Sequence, residues 1–183
     1  METKIFRNPE KLEIEEVIGV FKKDLNTRTE DFAKSEIEEL VDIYAKNPVD
    51  KFVIADKLTY NAAQGDILIF AEGTDFYKQH IKQIKSLKKT DRLVLQEGDS
   101  FTGDHRIVPL KDSTYTIKTG KFCPNFLKGK RTWGSDAEYT AITFETDKPF
   151  LIFHREHGNV ALPSGKYMFC SQLDPDTLER MMD

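Results

Sequence analysis

The chain has 183 residues, of which 39% are hydrophobic and 32% charged, a composition typical of a globular protein with a real core. Its 27 Lys and Arg and 31 Asp and Glu give a net charge of −4, which excludes a strongly basic packaging protein. No apolar run approaches the roughly 18 residues of a membrane helix, and the N-terminus lacks the apolar stretch of a signal peptide, so we expect a cytoplasmic or virion-internal protein with no membrane partner.

The charge is distributed unevenly along the chain. Residues 1–50 contain 8 Lys or Arg and 13 Asp or Glu, a net charge of −5. Residues 78–131 contain 13 Lys or Arg and 5 Asp or Glu, a net charge of +8. Such an asymmetry is typical of a nucleic-acid surface, but it also fits an acidic and a basic part that pair within one molecule.

The N-terminal part has the pattern of amphipathic helices. Asn8 is a plausible N-cap with Pro9 at the first helical position, which predicts a helix that begins there. A second helix ends at Asn47-Pro48 and has one apolar stripe, formed by Ile37, Leu40, Val41 and Tyr44. The stretch 51–64 fits either a short strand or a helical turn. We therefore expect a helical segment over residues 1–58.

From Gly65 onward apolar residues recur about every 2 residues and no longer about every 3.6, which predicts strands. "GDILIFAEG" is typical of a buried strand, whereas "TDFYKQHIKQIKSLKK" predicts a helix capped by Thr74. Seven further strand-like pieces follow, and "PDTLERMMD" predicts a short final helix. The pieces are "RLVLQEG", "HRIVPL", "STYTIKTGKF", "AEYTAITFET", "FLIFHRE", "NVALP" and "KYMFCSQL". The expected fold class is α+β, with the N-terminal helical segment packed beside a small antiparallel β-barrel or β-sandwich over residues 59–183.

Three pieces of the β-rich part resemble a known family. They are "QGDILIF" (64–70), "LQEGDSFTGDHRI" (95–107) and "HREHGNVALPSGKYMFCSQLDPDTLERMMD" (154–183). They are similar to a largely uncharacterised family of small prokaryotic and phage proteins with Q-G-D-V-L-L, E-G-x-x-T-G-H-x-H-R and H-x-E-H-G-x-x-x-L-P-x-G-x-Y motifs. The resemblance covers about two-thirds of the chain and implies a phage or mobile-element association. His105 matches the second histidine of the middle motif, whereas Asp104 stands near the place of the first.

Histidines and carboxylates in two of these pieces are candidate ligands of zinc, iron or manganese. On a straight strand His154 and Glu156 would share one face and His157 would point to the other, so they converge only if Gly158 lies in a turn. Alternatively, His157-Gly158-Asn159 is simply a hairpin turn without a site. No cofactor is expected unless a divalent transition metal binds. The candidate ligands are Asp104, His105, His154, Glu156 and His157, with Glu156 or Asp104 as ligand or general base.

A second candidate site is the basic, aromatic stretch over residues 118–135. Lysines interleaved with aromatic rings are typical of surfaces that hold single-stranded nucleic acid without reading its sequence. Alternatively, the lysines are simply solvated and the aromatic rings point inward. The candidate contact residues are Lys118, Lys121, Phe122, Phe126, Lys128, Lys130, Arg131 and Trp133.

Other familiar chemistry is missing from the sequence. Cys123 and Cys170 fit no zinc spacing, and we expect both to be small buried apolar residues. There is no recognisable Ser-His-Asp arrangement, no Walker motif and no G-x-G-x-x-G, which argues against nucleotide hydrolysis through those loops.

The preferred functional hypothesis is a non-enzymatic binding or assembly module that uses the basic aromatic stretch as its contact surface. Its partners would be a second copy of the chain, another protein or a single-stranded nucleic acid. The alternative is a metal-dependent enzyme or a cupin-like metal-binding barrel that uses His105, His154 and His157. A third possibility is a cupin-like pocket that binds a small molecule without catalysis.

Overall fold

The computed structural model describes residues 4–7, 33–46, 51–54, 62–98, 103–122, 139–157 and 159–171. These residues form two six-stranded sheets, which are mostly antiparallel, and two short α-helices. All eight strands predicted from Gly65 onward are confirmed. The predicted helices that begin at Asn8 and that close the chain lie outside the described residues.

The first sheet has the strand order β1-β2-β11-β10-β7-β6. Its strands are β1 (Lys4–Arg7), β2 (Lys51–Ile54), β6 (Val94–Gln96), β7 (His105–Pro109), β10 (Phe150–Phe153) and β11 (Asn159–Leu162). The central strands β7, β10 and β11 are antiparallel neighbours, whereas β11 and β2 run parallel.

The second sheet has the strand order β3-β4-β12-β9-β8-β5 and is antiparallel throughout. Its strands are β3 (Ala62–Gln64), β4 (Ile67–Ala71), β5 (Lys85–Lys89), β8 (Tyr115–Phe122), β9 (Tyr139–Thr146) and β12 (Gly165–Ser171). Strands β3 and β4 form a tight hairpin that turns at Gly65 and Asp66.

The two sheets share one hydrophobic core. Alternate residues of each strand point to the same face, and the apolar faces of both sheets meet in a single cluster of buried side chains. The first sheet contributes Ile107, Phe150 and Ile152, and the second contributes Ile69, Phe144 and Phe169, among others. In the described residues each sheet ends in two edge strands, so the arrangement is two packed sheets and not the closed barrel that was one of our expectations.

The N-terminal segment is not purely helical as we had expected. Helix α1 (Lys34–Lys46) confirms the second predicted helix, with Ile37 and Leu40 buried at 4% and 0% exposure. However, the same segment also contains β1 and β2, which pair with each other. Strand β2 pairs in addition with β11, which belongs to the β-rich part that begins after residue 58. The hydrophobic pattern of neighbouring residues cannot predict this pairing, because the partner strand is distant in sequence.

The predicted helix over "TDFYKQHIKQIKSLKK" is only half correct. Helix α2 (Asp75–His80) begins as expected, because the Thr74 hydroxyl accepts the Tyr77 N–H at 3.3 Å. After a 3₁₀ turn at Ile81–Gln83 the chain extends and forms edge strand β5 along β8. Tertiary pairing with β8 therefore overrides the helical pattern of this lysine-rich stretch.

Helix α2 packs on the outer face of the second sheet, where a second apolar cluster includes Phe70, Phe122, Met168 and Cys170. Helix α1 is held at the turn between β7 and β8, where the Glu39 carboxylate accepts the Lys111 N–H. No helix among the described residues is long and apolar enough to span a membrane.

Candidate functional site

Three of the four histidines meet at one end of the core, between the two sheets. His105 begins β7, His154 directly follows β10, and His157 lies in the turn after it. One ring nitrogen from each lies within 4.8 Å of the other two. The rings of His105 and His154 stack with centroids 4.0 Å apart, and those of His154 and His157 at 4.5 Å. These three are among the five candidate ligands that the sequence suggested.

A turn at residues 155–157 brings His154 and His157 together. Strand β10 stops at Phe153, and the Nδ1 atom of His154 accepts the backbone N–H groups of Glu156 at 3.3 Å and His157 at 3.1 Å. The histidines therefore converge at a turn formed by residues 155–157, whereas Gly158, at which we expected the turn, lies outside the described residues.

Asp66 and Gln64 reach the same cluster from the β3–β4 hairpin of the second sheet. The Asp66 Oδ1 atom lies 2.8 Å from His105 Nε2, and the Gln64 Oε1 atom lies 3.2 Å from His105 Nδ1. Asp66 and Gln64 are each 3% exposed, and His105 is 2% exposed. The Gln64 side chain also donates to the Ile152 carbonyl at 3.0 Å, which ties the hairpin to β10.

Two buried oxygen atoms of the β3–β4 hairpin flank His105. The Ile152 carbonyl only accepts hydrogen bonds, so it faces the Gln64 amide nitrogen, and the Gln64 oxygen faces His105 Nδ1. A ring with its proton on Nδ1 therefore donates to Gln64, which leaves the Nε2 lone pair 2.8 Å from the Asp66 carboxylate. A cation at Nε2, either a proton or a metal ion, would be stabilised by that carboxylate.

Gly65 lets the hairpin approach the histidines closely. Its φ of +56° is in the left-handed region, and a Cβ built there would lie 2.2 Å from the Cδ2 atom of the His157 ring. A side chain at residue 65 is therefore incompatible with this position of His157.

The two other candidate ligands do not join the cluster. The Asp104 carboxylate accepts the Gly98 N–H at 3.1 Å and pairs with Arg106 at 3.1 Å. The pKa of Asp104 is lowered, first by the Gly98 hydrogen bond and then by Arg106. Glu156 is exposed on the turn. Neither belongs to the group of side chains whose ligand atoms lie together.

The basic aromatic stretch is described only at its beginning. Lys118 and Lys121 are exposed on β8, as expected of a contact surface. Phe122 is 2% exposed and packs edge-on against His80, so its ring faces the second apolar cluster and not solvent. The remaining candidates, Phe126, Lys128, Lys130, Arg131 and Trp133, lie outside the described residues, as does Cys123. Cys170 is buried, as predicted.

Our site prediction did not include Gln64 and Asp66. A signal for them existed, because both belong to "QGDILIF", one of the three pieces that carry the family resemblance. That piece contributes Gln64, Gly65 and Asp66, the second piece contributes His105, and the third contributes His154 and His157. Three separate motifs therefore meet at one place in the fold.

Comparison with known proteins gave one match. The model of a family described as "Domain of unknown function (DUF8820)" matches residues 63–172, which include every residue of the histidine cluster as well as Gln64 and Asp66. No curated protein and no solved structure matches the chain. Because the match covers more than half of its length, the chain belongs to the DUF8820 family of domains of unknown function.

Proposed function

We propose that this domain binds a divalent transition metal ion through His105, His154 and His157. The observation that carries the proposal is the buried group of three imidazole nitrogens within 4.8 Å of one another. Neutral imidazoles are common ligands of zinc and other first-row transition metals. The buried Asp66 carboxylate, 2.8 Å from His105 Nε2, favours a cation at the same cluster.

The distances fit an ion, but the rings must rotate to bind it. Bonds of about 2.0–2.1 Å to a tetrahedral ion place two ligand nitrogens about 3.4 Å apart, and the spacings in the cluster are no more than 4.8 Å. The three rings stack at interplanar angles of 16–18°, so their in-plane lone pairs converge on one ion only after the rings turn. His157 is the least buried of the three, and its turn position allows it to move without disturbing a strand.

Gln64 has the role of an orienting partner in this proposal. A metal-bound histidine commonly donates its second N–H to an acceptor, which fixes the tautomer of the ring. Gln64 Oε1 lies 3.2 Å from Nδ1 of His105, and the Gln64 amide donates to the Ile152 carbonyl, which leaves Nε2 of His105 for the ion. The Asp66 carboxylate, 2.8 Å from Nε2, would stabilise positive charge there.

Metal binding would change the hydrogen bonds of His154. Two backbone N–H groups point at its Nδ1 atom, so the proton of the neutral ring is on Nε2. Coordination through Nε2 requires either that this proton move to Nδ1 or that the ring flip so that the two nitrogens exchange places. Either change alters the hydrogen bonds that His154 Nδ1 accepts from the turn.

The test is metal content and affinity in protein purified without a polyhistidine tag. Wild type, His157→Ala and a control, His80→Gln, would be compared by elemental mass spectrometry after loading with zinc, iron or manganese and desalting. His80 is the one histidine outside the cluster and bonds to the Phe76 carbonyl. We expect about one ion per chain in wild type and in the control, and loss of the ion in His157→Ala, with all three folded by circular dichroism. Absence of bound metal in wild type after loading would overturn the proposal and leave the cluster as a set of buried structural contacts.

The preferred hypothesis from the sequence, a binding or assembly module associated with phage or mobile elements, is compatible with a metal centre of this kind. The observation that favours a contact surface is the exposure of Lys118 and Lys121 on β8. A second copy of the chain, another protein or a single-stranded nucleic acid remains the proposed class of partner. Size-exclusion chromatography with light scattering would test self-association.

A further inference from the structure

A cleft lies on the outer face of the second sheet, away from the histidine cluster. It has a volume of about 210 Å³ and runs between helix α2 and strands β5, β8 and β9. Its apolar wall includes Tyr77, Ile81 and Leu87. Its polar lining includes Lys118 and two threonines, and also Glu145, which pairs with Lys166 at 3.8 Å. The cleft thus combines an apolar surface with a cation and hydroxyl groups, as small-molecule sites commonly do.

Lys118, which lines the cleft, faces a second lysine on the neighbouring strand, and that second lysine is not part of the lining. Lys89 of β5 is directly opposite Lys118 of β8, and both side chains are exposed. Like charges directly opposite each other on neighbouring strands are destabilising. In the part of the chain that the structure describes, neither lysine forms an ion pair. An anion bound between them would offset their repulsion.

The apolar wall includes a side chain that is open to solvent. Leu87 is 41% exposed and lies two positions before Lys89 on the same strand. Tyr77 of α2 also lines the cleft. Burial, followed by the charges of Glu72 and Glu145, raises the pKa of the Tyr77 phenol, which keeps it protonated and able to donate a hydrogen bond.

We propose that this cleft binds a nucleoside phosphate, with the base against Leu87 and Tyr77 and the phosphate between Lys89 and Lys118. A flat base has the apolar faces that the wall accommodates, and the phosphate is the anion that two adjacent lysines require. The nucleoside phosphate is either a free nucleotide or one unit of a single strand. Lys118 was already a candidate for nucleic-acid contact in the sequence, and β8 leads directly into the basic stretch. The site is independent of the metal centre.

The test is binding of adenosine monophosphate and of a single-stranded oligothymidylate, measured by isothermal titration calorimetry at low salt. The variants are Lys118→Gln and Leu87→Ser. The control is Lys78→Gln, which removes one charge from an exposed lysine on α2 that lies 4.0 Å from Asp75. We expect Lys118→Gln to weaken binding about tenfold, the effect of losing one charged hydrogen bond. We expect Lys78→Gln to bind as wild type does.

The two probes distinguish the source of the ligand. Binding of both probes, with loss in Lys118→Gln and Leu87→Ser, supports a site for the nucleotide unit itself. Binding of the mononucleotide alone supports a free nucleotide as the ligand. Binding of the oligonucleotide alone supports a nucleic-acid strand. In that case the slope of log binding constant against log salt concentration should become smaller by about one in Lys118→Gln. If neither probe binds, or if Lys78→Gln weakens binding as much as Lys118→Gln, the proposal is wrong.

Discussion

Asp66 and His105 form a buried contact across the two sheets, with Asp66 Oδ1 2.8 Å from His105 Nε2 and both side chains 3% exposed. Asp66 comes from the β3–β4 hairpin of the second sheet and His105 from β7 of the first. The contact therefore joins the sheets at the end of the core where the histidines meet. A buried charge of this kind is stable only with its partner in place.

Asp66→Asn should destabilise the fold strongly. The change takes the carboxylate away from the buried His105 nitrogen that it faces, and loss of a buried polar partner costs about 1–3 kcal/mol. The measurement is the free energy of unfolding from urea denaturation. Glu72→Gln is the matched control, because Glu72 pairs with Lys166 at 3.4 Å on the surface and its loss should cost less than about 1 kcal/mol. Equal stabilities of the two variants would show that the buried contact is energetically neutral.

Gly65→Ala should disturb both the fold and the histidine cluster. An alanine there has an unfavourable φ, and its Cβ would overlap the His157 ring. Gly73→Ala is the control, because Gly73 also has a positive φ but nothing lies within 4 Å of a Cβ built there. We expect about 1 kcal/mol of destabilisation for Gly73→Ala from the backbone alone and clearly more for Gly65→Ala. Thermal unfolding and metal loading of both variants would test this, and equal effects would rule out the overlap as the cause.

Asp104→Asn should leave metal binding unchanged, because the Asp104 carboxylate bonds to Gly98 and Arg106 and not to the cluster. The lowered pKa means that Asp104 stabilises the folded state above its ordinary pKa of 3.8, and that this contribution is lost as the pH falls further. The variant should be less stable than wild type at pH 7 by less than about 1 kcal/mol, since the pair is near the surface. The difference should narrow in acid. Loss of bound metal in Asp104→Asn would instead make this residue a ligand.

Cys170 should be unreactive in the folded protein. Burial raises the pKa of its thiol from 9.0 to about 12, so almost no thiolate exists at pH 8. Labelling with iodoacetamide, followed by peptide mapping, should modify Cys170 only after unfolding. The thiol ionises near pH 9 in the unfolded chain but only near pH 12 in the folded protein. Above pH 9 ionisation therefore favours the unfolded chain, and the free energy of unfolding should fall as the pH rises further. Rapid labelling of Cys170 in native protein would contradict its burial.

The strands of the β-rich part were predictable because their signal is local. Alternation of apolar and polar residues, interrupted by turns, identifies β7 or β12 without knowledge of their neighbours. Helix α1 was predictable for the same reason, from residues three and four apart. The sequence also named His105, His154 and His157 as one group, through motifs that are far apart along the chain.

Tertiary contacts decided the rest. The lysine-rich stretch Lys85–Lys89 has a helical pattern but forms a strand, since β8 supplies hydrogen-bond partners that the local sequence does not reveal. Strand β2 depends in the same way on β11. Gln64 and Asp66 joined the histidines only when the β3–β4 hairpin of one sheet packed against β7 and β10 of the other. Local periodicity determines which face of a strand is buried, but the distance between two sheets depends on how all their side chains pack together, and that packing created the site.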